Sequence, residues 1–186
     1  MQKIVLHNDI YIIDDFLTPN ECNDLIEIAK NCKDDNINDE NWRFKGFFTN
    51  PAYKTTIDKG QYKSVTSIEE RLASTVGIPT ENQEDFQVFR SDPSIEGFFP
   101  HMDTLATSSP YYKETQKSGK RILAAIFYLS DVEEAGETRF THFKSKVKPK
   151  IGRLLVYKPE ITHEALPVKK GVKWIFIKFI REHKFS

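Results

Sequence analysis

From residue 85 onward the chain is a succession of short apolar or alternating segments: DFQVFR, GFFPHMD, RILAAIFYLS, ETRFTHF, GRLLVYK and VKWIFIKFI. Loops carrying Pro, Ser or Gly separate them. Short strands at close intervals with no helical spacing between them predict an antiparallel sandwich or barrel, not a parallel α/β sheet. The first part of the chain has a different period. IYIIDDF reads as a strand, and residues 19–33 read as a helix. Thr18 is placed as N-cap, Pro19 takes the first helical position, Glu21 completes a T-x-x-E capping box, and Cys22, Leu25, Ile26, Ala29 and Cys32 form one apolar stripe. A second helix is predicted over residues 66–76, with Val65, Ile68, Leu72, Ala73 and Val76 apolar and Gly77 and Pro79 as its stop. The fold class expected is therefore mainly β, with two N-terminal helices packed on one outer face of the sheets. Residues 44–62 and 104–120 are polar and weakly periodic and read as lid or binding loops, the first with room for a strand, and one of the two is expected to be mobile and to order over substrate.

Size and charge narrow the class. At 186 residues a single domain spanning 1–186 is expected. Twenty-seven basic residues balance twenty-seven acidic ones, so no nucleic-acid partner is expected. No apolar run approaches the ~20 residues a membrane span needs. The segment MQKIVLHNDI lacks the apolar core of a secretory signal, so the chain reads as cytoplasmic, with no membrane association. Cys22 and Cys32 are read as core residues of the first helix in a reduced compartment, not as a disulfide framework.

Chemistry has few carriers. Of the five histidines, His7, His142 and His183 have no supporting context, whereas His101 is followed by Asp103 at the expected end of a strand. Residues i and i+2 of a strand share a face about 6 to 7 Å apart, a gap one metal ion bridges. Two imidazoles and one carboxylate on one side of a metal leave open positions, which is the ligand set of non-haem Fe(II) oxygenases. A second imidazole has to come from another strand, and His163 stands at the turn before the last one. Alternation along that last strand sets Lys173, Ile175, Ile177 and Phe179 on one face and Trp174, Phe176 and Lys178 on the other. If the first face points inward, Lys173 is a buried cation that requires an anion, either a protein carboxylate or a bound organic acid.

The linked pattern His101-x-Asp103, His163, Lys173 resembles the Fe(II)- and 2-oxoglutarate-dependent dioxygenases of the prolyl 4-hydroxylase type. RILAAIFYLSDVEEAGETRF is similar to that family's Arg-led strand ending in Tyr-Leu and followed by a Gly-Gly-x-Thr-x-Phe turn. THEALPVKKGVKW is similar to its His-to-Lys segment, and YIIDDFLTPNEC to its first strand and helix. The likeness covers nearly the whole chain and is weakest over residues 34–62. It implies a double-stranded β-helix, or jelly roll, with Fe(II) held by His101, Asp103 and His163. It also implies that Lys173 binds the distal carboxylate of 2-oxoglutarate, helped by Tyr128, and that Arg121, Phe179 and Arg181 stand near the substrate. The activity implied is hydroxylation of prolyl residues in a protein or peptide, with O2 as second co-substrate, ascorbate as an optional addition, and succinate and CO2 as products. With Asp103 supplying the carboxylate, the resemblance implies hydroxylation and not halogenation. Three departures stand out: Ser91 and Phe98 replace tyrosines common in the family, and Ala135 replaces the first Gly of the turn. A small-molecule or free amino-acid hydroxylase on the same scaffold, and a cupin-like metal-binding module without turnover, are the alternatives; oligomeric state is not legible.

Overall fold

The computed structural model describes residues 2–31, 53–104 and 116–185. The described residues form thirteen strands and two α-helices: β1 (Lys3–His7), β2 (Ile10–Ile13), α1 (Pro19–Asn31), β3 (Tyr53–Ile57), α2 (Lys63–Val76), β4 (Phe86–Ser91), β5 (Phe98–His101), β6 (Arg121–Tyr128), β7 (Glu134–Ala135), β8 (Thr138–Phe140), β9 (Ser145–Val147), β10 (Leu154–Tyr157), β11 (His163–Ala165), β12 (Val168–Lys170) and β13 (Lys173–Arg181). A seven-stranded sheet runs β1-β2-β10-β6-β13-β4-β3 and faces a four-stranded sheet, β5-β11-β8-β9, while β12 and β7 form a short ribbon. All the pairings are antiparallel. This is the jelly-roll architecture expected.

Strand β13 shows how the sequence produces it. It lies mid-sheet, paired with β4 on one side and β6 on the other. Alternation sends Ile175 and Phe179 into the space between the two sheets, where they pack with Ile126, Tyr128, Leu155 and Phe140. Trp174, Phe176 and Ile180 point the other way, into a second core beneath the helices. There Cys22, Leu25 and Ala29 of α1 and Val65, Ile68 and Leu72 of α2 cover Phe127, Leu154, Val156 and Phe176. The two helices therefore pack on the outer face of the large sheet, which is why this sheet is apolar on both sides.

Local signals mark the helix ends. The Thr18 amide donates to Glu21 Oε2 at 2.8 Å and the Glu21 amide to Thr18 Oγ1 at 3.2 Å, the reciprocal capping box. Glu21 also pairs with Arg71 of α2, so the cap ties one helix to the other, and this partner holds the Glu21 carboxyl down at about 2. Gly77, at φ +72°, closes α2 with its amide on the Ala73 carbonyl. Burial pushes the Cys22 thiol up to about 11, as befits a core residue. The expectations for Cys32, for residues 32–52 and for residues 105–115 lie outside the described residues.

Several elements depart from expectation. Strand β3 falls inside the stretch 44–62, read as a loop with room for a strand, and the short strands β7, β9 and β12 lie outside the predicted segments. Strand β1 was not anticipated; it forms a hairpin with β2, because its residues gain pairing and not burial. Helix α2 begins three residues earlier, at Lys63, without a side-chain cap. Strand β5 stops at His101, so Asp103 lies beyond it in a bend. His163 opens a strand of its own, β11, and does not sit in a turn. Among the described residues no helix is long and apolar enough to cross a membrane.

Candidate metal centre

Two adjacent strands deliver the imidazoles. In the β5–β11 ladder His101 stands directly opposite His163, so they are cross-strand neighbours with ring centroids 4.4 Å apart. Gly97, at φ +91°, allows this approach: a Cβ there would lie 2.3 Å from the Ala165 carbonyl oxygen. The carboxylate arrives differently from the strand-face spacing expected. Asp103 turns back from the bend after β5, with its amide donating to Pro159 O at 2.9 Å. Its Oδ1 lies 3.8 Å from His101 Nε2 and its Oδ2 3.5 Å from His163 Nε2. One ligand atom from each of the three residues falls within 4.8 Å of the others.

The imidazoles are oriented for ligation. His101 Nδ1 lies 2.7 Å from Phe99 O and His163 Nδ1 3.0 Å from Ile161 O. A carbonyl only accepts, so each Nδ1 carries the proton and each Nε2 turns its lone pair into the space it shares with the Asp103 carboxylate, where a cation would sit. Burial lowers the His163 pKa, partly offset by Asp103, which favours the neutral ring a metal requires. Two neutral imidazole nitrogens and one carboxylate, with the remaining side open, suit iron(II).

The lysine lies on the inward face, with Ile175 and Phe179. Lys173 is 2% exposed, and its ammonium donates to Gly136 O at 3.0 Å. Among the described residues no carboxylate lies within ion-pair distance of it; burial brings its pKa down to about 8, with Glu137 acting weakly the other way. The turn that aims this carbonyl has two successive residues of positive φ, Ala135 at +63° and Gly136 at +78°, so the Ala at the family's first Gly adopts the glycine conformation. Tyr128 is fully buried, its hydroxyl 2.6 Å from Thr138 Oγ1. Burial holds the phenol protonated, well above its usual range. A buried cation whose hydrogen bond goes to a neutral carbonyl fits an organic carboxylate.

Arg121, Phe179 and Arg181 are brought together as well. The Arg121 guanidinium stacks 3.5 Å over the Phe179 ring, forks onto Glu84 through Nε and Nη2 at 2.7 Å each, and donates through Nη1 to Asp103 O at 3.0 Å. Arg181 Nε donates to the same Glu84 at 2.7 Å and Nη1 to Gly119 O at 2.7 Å. Glu84 is thus shared by two guanidiniums and, through Arg121, braces the backbone of a candidate metal ligand. Sequence reasoning missed Glu84 because its partners lie 37 and 97 positions away. It missed Tyr157 too, whose hydroxyl donates to Asp103 Oδ2 at 2.6 Å and lies 3.1 Å from His163 Nε2. The signal available was a hydroxyl on the inward face of LLVY, which needs a polar partner.

Comparison with known proteins agrees with this geometry. The family model described as the 2OG-Fe(II) oxygenase superfamily matches residues 86–181. A probable prolyl 4-hydroxylase 10 of Arabidopsis thaliana is 30% identical over 92% of this chain and 68% of its own length. A putative prolyl 4-hydroxylase of Acanthamoeba polyphaga mimivirus is 28% identical over 97% of this chain and 77% of its own. Among solved structures, the viral collagen prolyl hydroxylase of Paramecium bursaria Chlorella virus-1, in its 2OG complex, superposes with a TM-score of 0.72 at 25% identity, covering 94% of this chain and 96% of that one. The matched region begins at β4, ends with β13 and contains the three metal-ligand candidates and Lys173. The chain belongs to the 2OG-Fe(II) oxygenase superfamily, as an enzyme that uses iron(II) and 2-oxoglutarate.

Proposed function

We propose that the chain hydroxylates prolyl residues in a protein or peptide, with His101, Asp103 and His163 as the iron ligands and Lys173 as the anchor of 2-oxoglutarate. The observation that carries this reading is that one chain holds both a metal-ready His-Asp-His triangle, of which His163 is the buried member, and a buried ammonium whose hydrogen bond goes to a neutral carbonyl. When bound, iron and 2-oxoglutarate supply the oxidising chemistry: dioxygen and the keto acid are consumed, succinate and CO2 are released, and one oxygen atom enters a C–H bond of the substrate.

The protein's part is orientation and exclusion of water. His101 and His163 present Nε2 because their Nδ1 protons are fixed on carbonyls. Lys173 meets the distal carboxylate of the keto acid in an apolar enclosure, where a charge-assisted hydrogen bond is strongest, and Tyr128 with Thr138 supplies hydroxyls to the same end. Arg121, Phe179 and Arg181 form the wall behind Asp103 and shape the substrate side through Glu84. Proline as the target follows from the relatives, which are named as prolyl 4-hydroxylases.

The test is a screen of proline-rich peptides with Fe(II), 2-oxoglutarate and air, read by mass spectrometry. A gain of one oxygen on proline that requires 2-oxoglutarate is the expected result. Oxygen gained only on free amino acids or small molecules would overturn the assignment to peptidyl proline.

A further inference from the structure

Asp103 is held at three atoms. Its amide donates to Pro159 O at 2.9 Å, its carbonyl accepts from Arg121 Nη1 at 3.0 Å, and its Oδ2 accepts from the Tyr157 hydroxyl at 2.6 Å. Two of the three partners, Tyr157 and Pro159, come from the end of β10 and the turn after it. Tyr157 is 1% exposed, its ring edge-on to Phe140 at 5.3 Å and to His163 at 4.7 Å, so the hydroxyl cannot swing to solvent without opening the core. Its neighbours on the inner face are apolar, among them Leu155, Ile126 and Ile175. A phenylalanine would fill that volume without a polar atom to satisfy, so the hydroxyl is kept at a cost that its partner must offset.

A carboxylate with both oxygens free can bind a metal through one or through both, and chelation through both takes a position that a reactant would otherwise use. A short hydrogen bond from a hydroxyl to an ionised carboxylate is among the strong ones, and it commits the oxygen it engages. Here that oxygen is Oδ2, which also lies 3.5 Å from His163 Nε2, while Oδ1 accepts no hydrogen bond from a hydroxyl among the described residues and lies 3.8 Å from His101 Nε2. We propose that Tyr157 is a positioning residue of the metal centre: its hydroxyl occupies Asp103 Oδ2, so that the carboxylate takes the metal through Oδ1 alone and the positions opposite the three ligands stay open. This rests on the reading of His101, Asp103 and His163 as the metal ligands. Once a metal takes Nε2 of His163, Asp103 Oδ2 is the partner left to the hydroxyl.

The experiment titrates the full chain with Mn(II), followed by the EPR signal of the free ion, for the parent, Tyr157→Phe and His163→Ala. The parent is expected to bind one ion, His163→Ala none, and Tyr157→Phe about 10- to 100-fold more weakly than the parent, the usual loss when the partner of a ligand is removed. Equal affinity of the parent and Tyr157→Phe, with His163→Ala inactive in binding, would overturn the role of Tyr157 and leave the ligand set standing. Failure of the parent to bind, or undiminished binding by His163→Ala, would overturn both. A crystal structure of the Mn(II)-loaded parent decides the matter even if Tyr157→Phe fails to fold. Asp103 bound through one oxygen, with the Tyr157 hydroxyl on the other, supports the proposal. Chelation through both oxygens, or a hydroxyl turned away, overturns it.

Discussion

The Lys173 ammonium donates to the carbonyl of Gly136, a neutral partner for a cation enclosed between two sheets. If the missing anion is the distal carboxylate of 2-oxoglutarate, Lys173→Ala leaves that carboxylate unpaired on binding. The cost is about 2 to 5 kcal/mol, a rise of roughly 30-fold or more in the 2-oxoglutarate requirement. Iron affinity should barely change, and Lys173→Arg should not rescue, because a planar fork does not replace a compact ammonium. Succinate release against 2-oxoglutarate concentration measures both; parental behaviour in Lys173→Ala would remove the residue from the co-substrate site.

The same lysine sets a pH dependence. Burial lowers its pKa to about 8 in the unliganded protein, and only the protonated form pairs with a carboxylate. Binding therefore takes up a proton once the free protein begins to lose it. Apparent affinity for 2-oxoglutarate should be flat below about pH 8 and fall by about tenfold per pH unit above it. Calorimetric titration in buffers of different ionisation enthalpy would show proton uptake above pH 8; a pH-independent affinity up to pH 10 would contradict this.

On the opposite face of β13, Lys178 is fully buried and paired with Glu69 of α2, its ammonium 4.0 Å from the centre of the Phe86 ring. Glu69 also accepts from the Gly60 amide, so the pair joins helix, loop and central strand. Lys178→Met alone strands a buried carboxylate and should cost about 3 to 5 kcal/mol, whereas Lys178→Met with Glu69→Leu should recover most of that loss. Urea unfolding of the single and double variants tests this. A single variant as stable as the parent would show that the pair is not a structural tie.

Much of this fold can be read locally, and its site only in part. The Thr18–Glu21 capping box and the two faces of β13 follow from residues close in sequence, and the structure shows both. His101 and Asp103 are two positions apart and legible as a pair, but the strand-face argument for them fails because β5 ends at His101. What joins His101 to His163 is cross-strand register, which no short window contains. Glu84 and the Glu69–Lys178 pair carry no local signal for the same reason, each acquiring its meaning from a partner dozens of positions away, and Tyr157 offers only the hint of an inward hydroxyl whose partner, Asp103, is 54 positions off. Strand β1 escaped notice because its residues stay largely exposed, so the burial that creates alternation never acted on them.

The central claim is that His101, Asp103, His163 and Lys173 form one centre for iron and 2-oxoglutarate. Anaerobic addition of 2-oxoglutarate to the Fe(II)-loaded protein tests it most directly, through the visible charge-transfer absorption of a keto acid chelated to iron(II). The parent should develop the band at one equivalent of iron, His163→Ala should not develop it at all, and Lys173→Ala should develop it only at roughly 30-fold or more higher 2-oxoglutarate. A parent without the band, or a His163→Ala protein that retains it, would contradict the account.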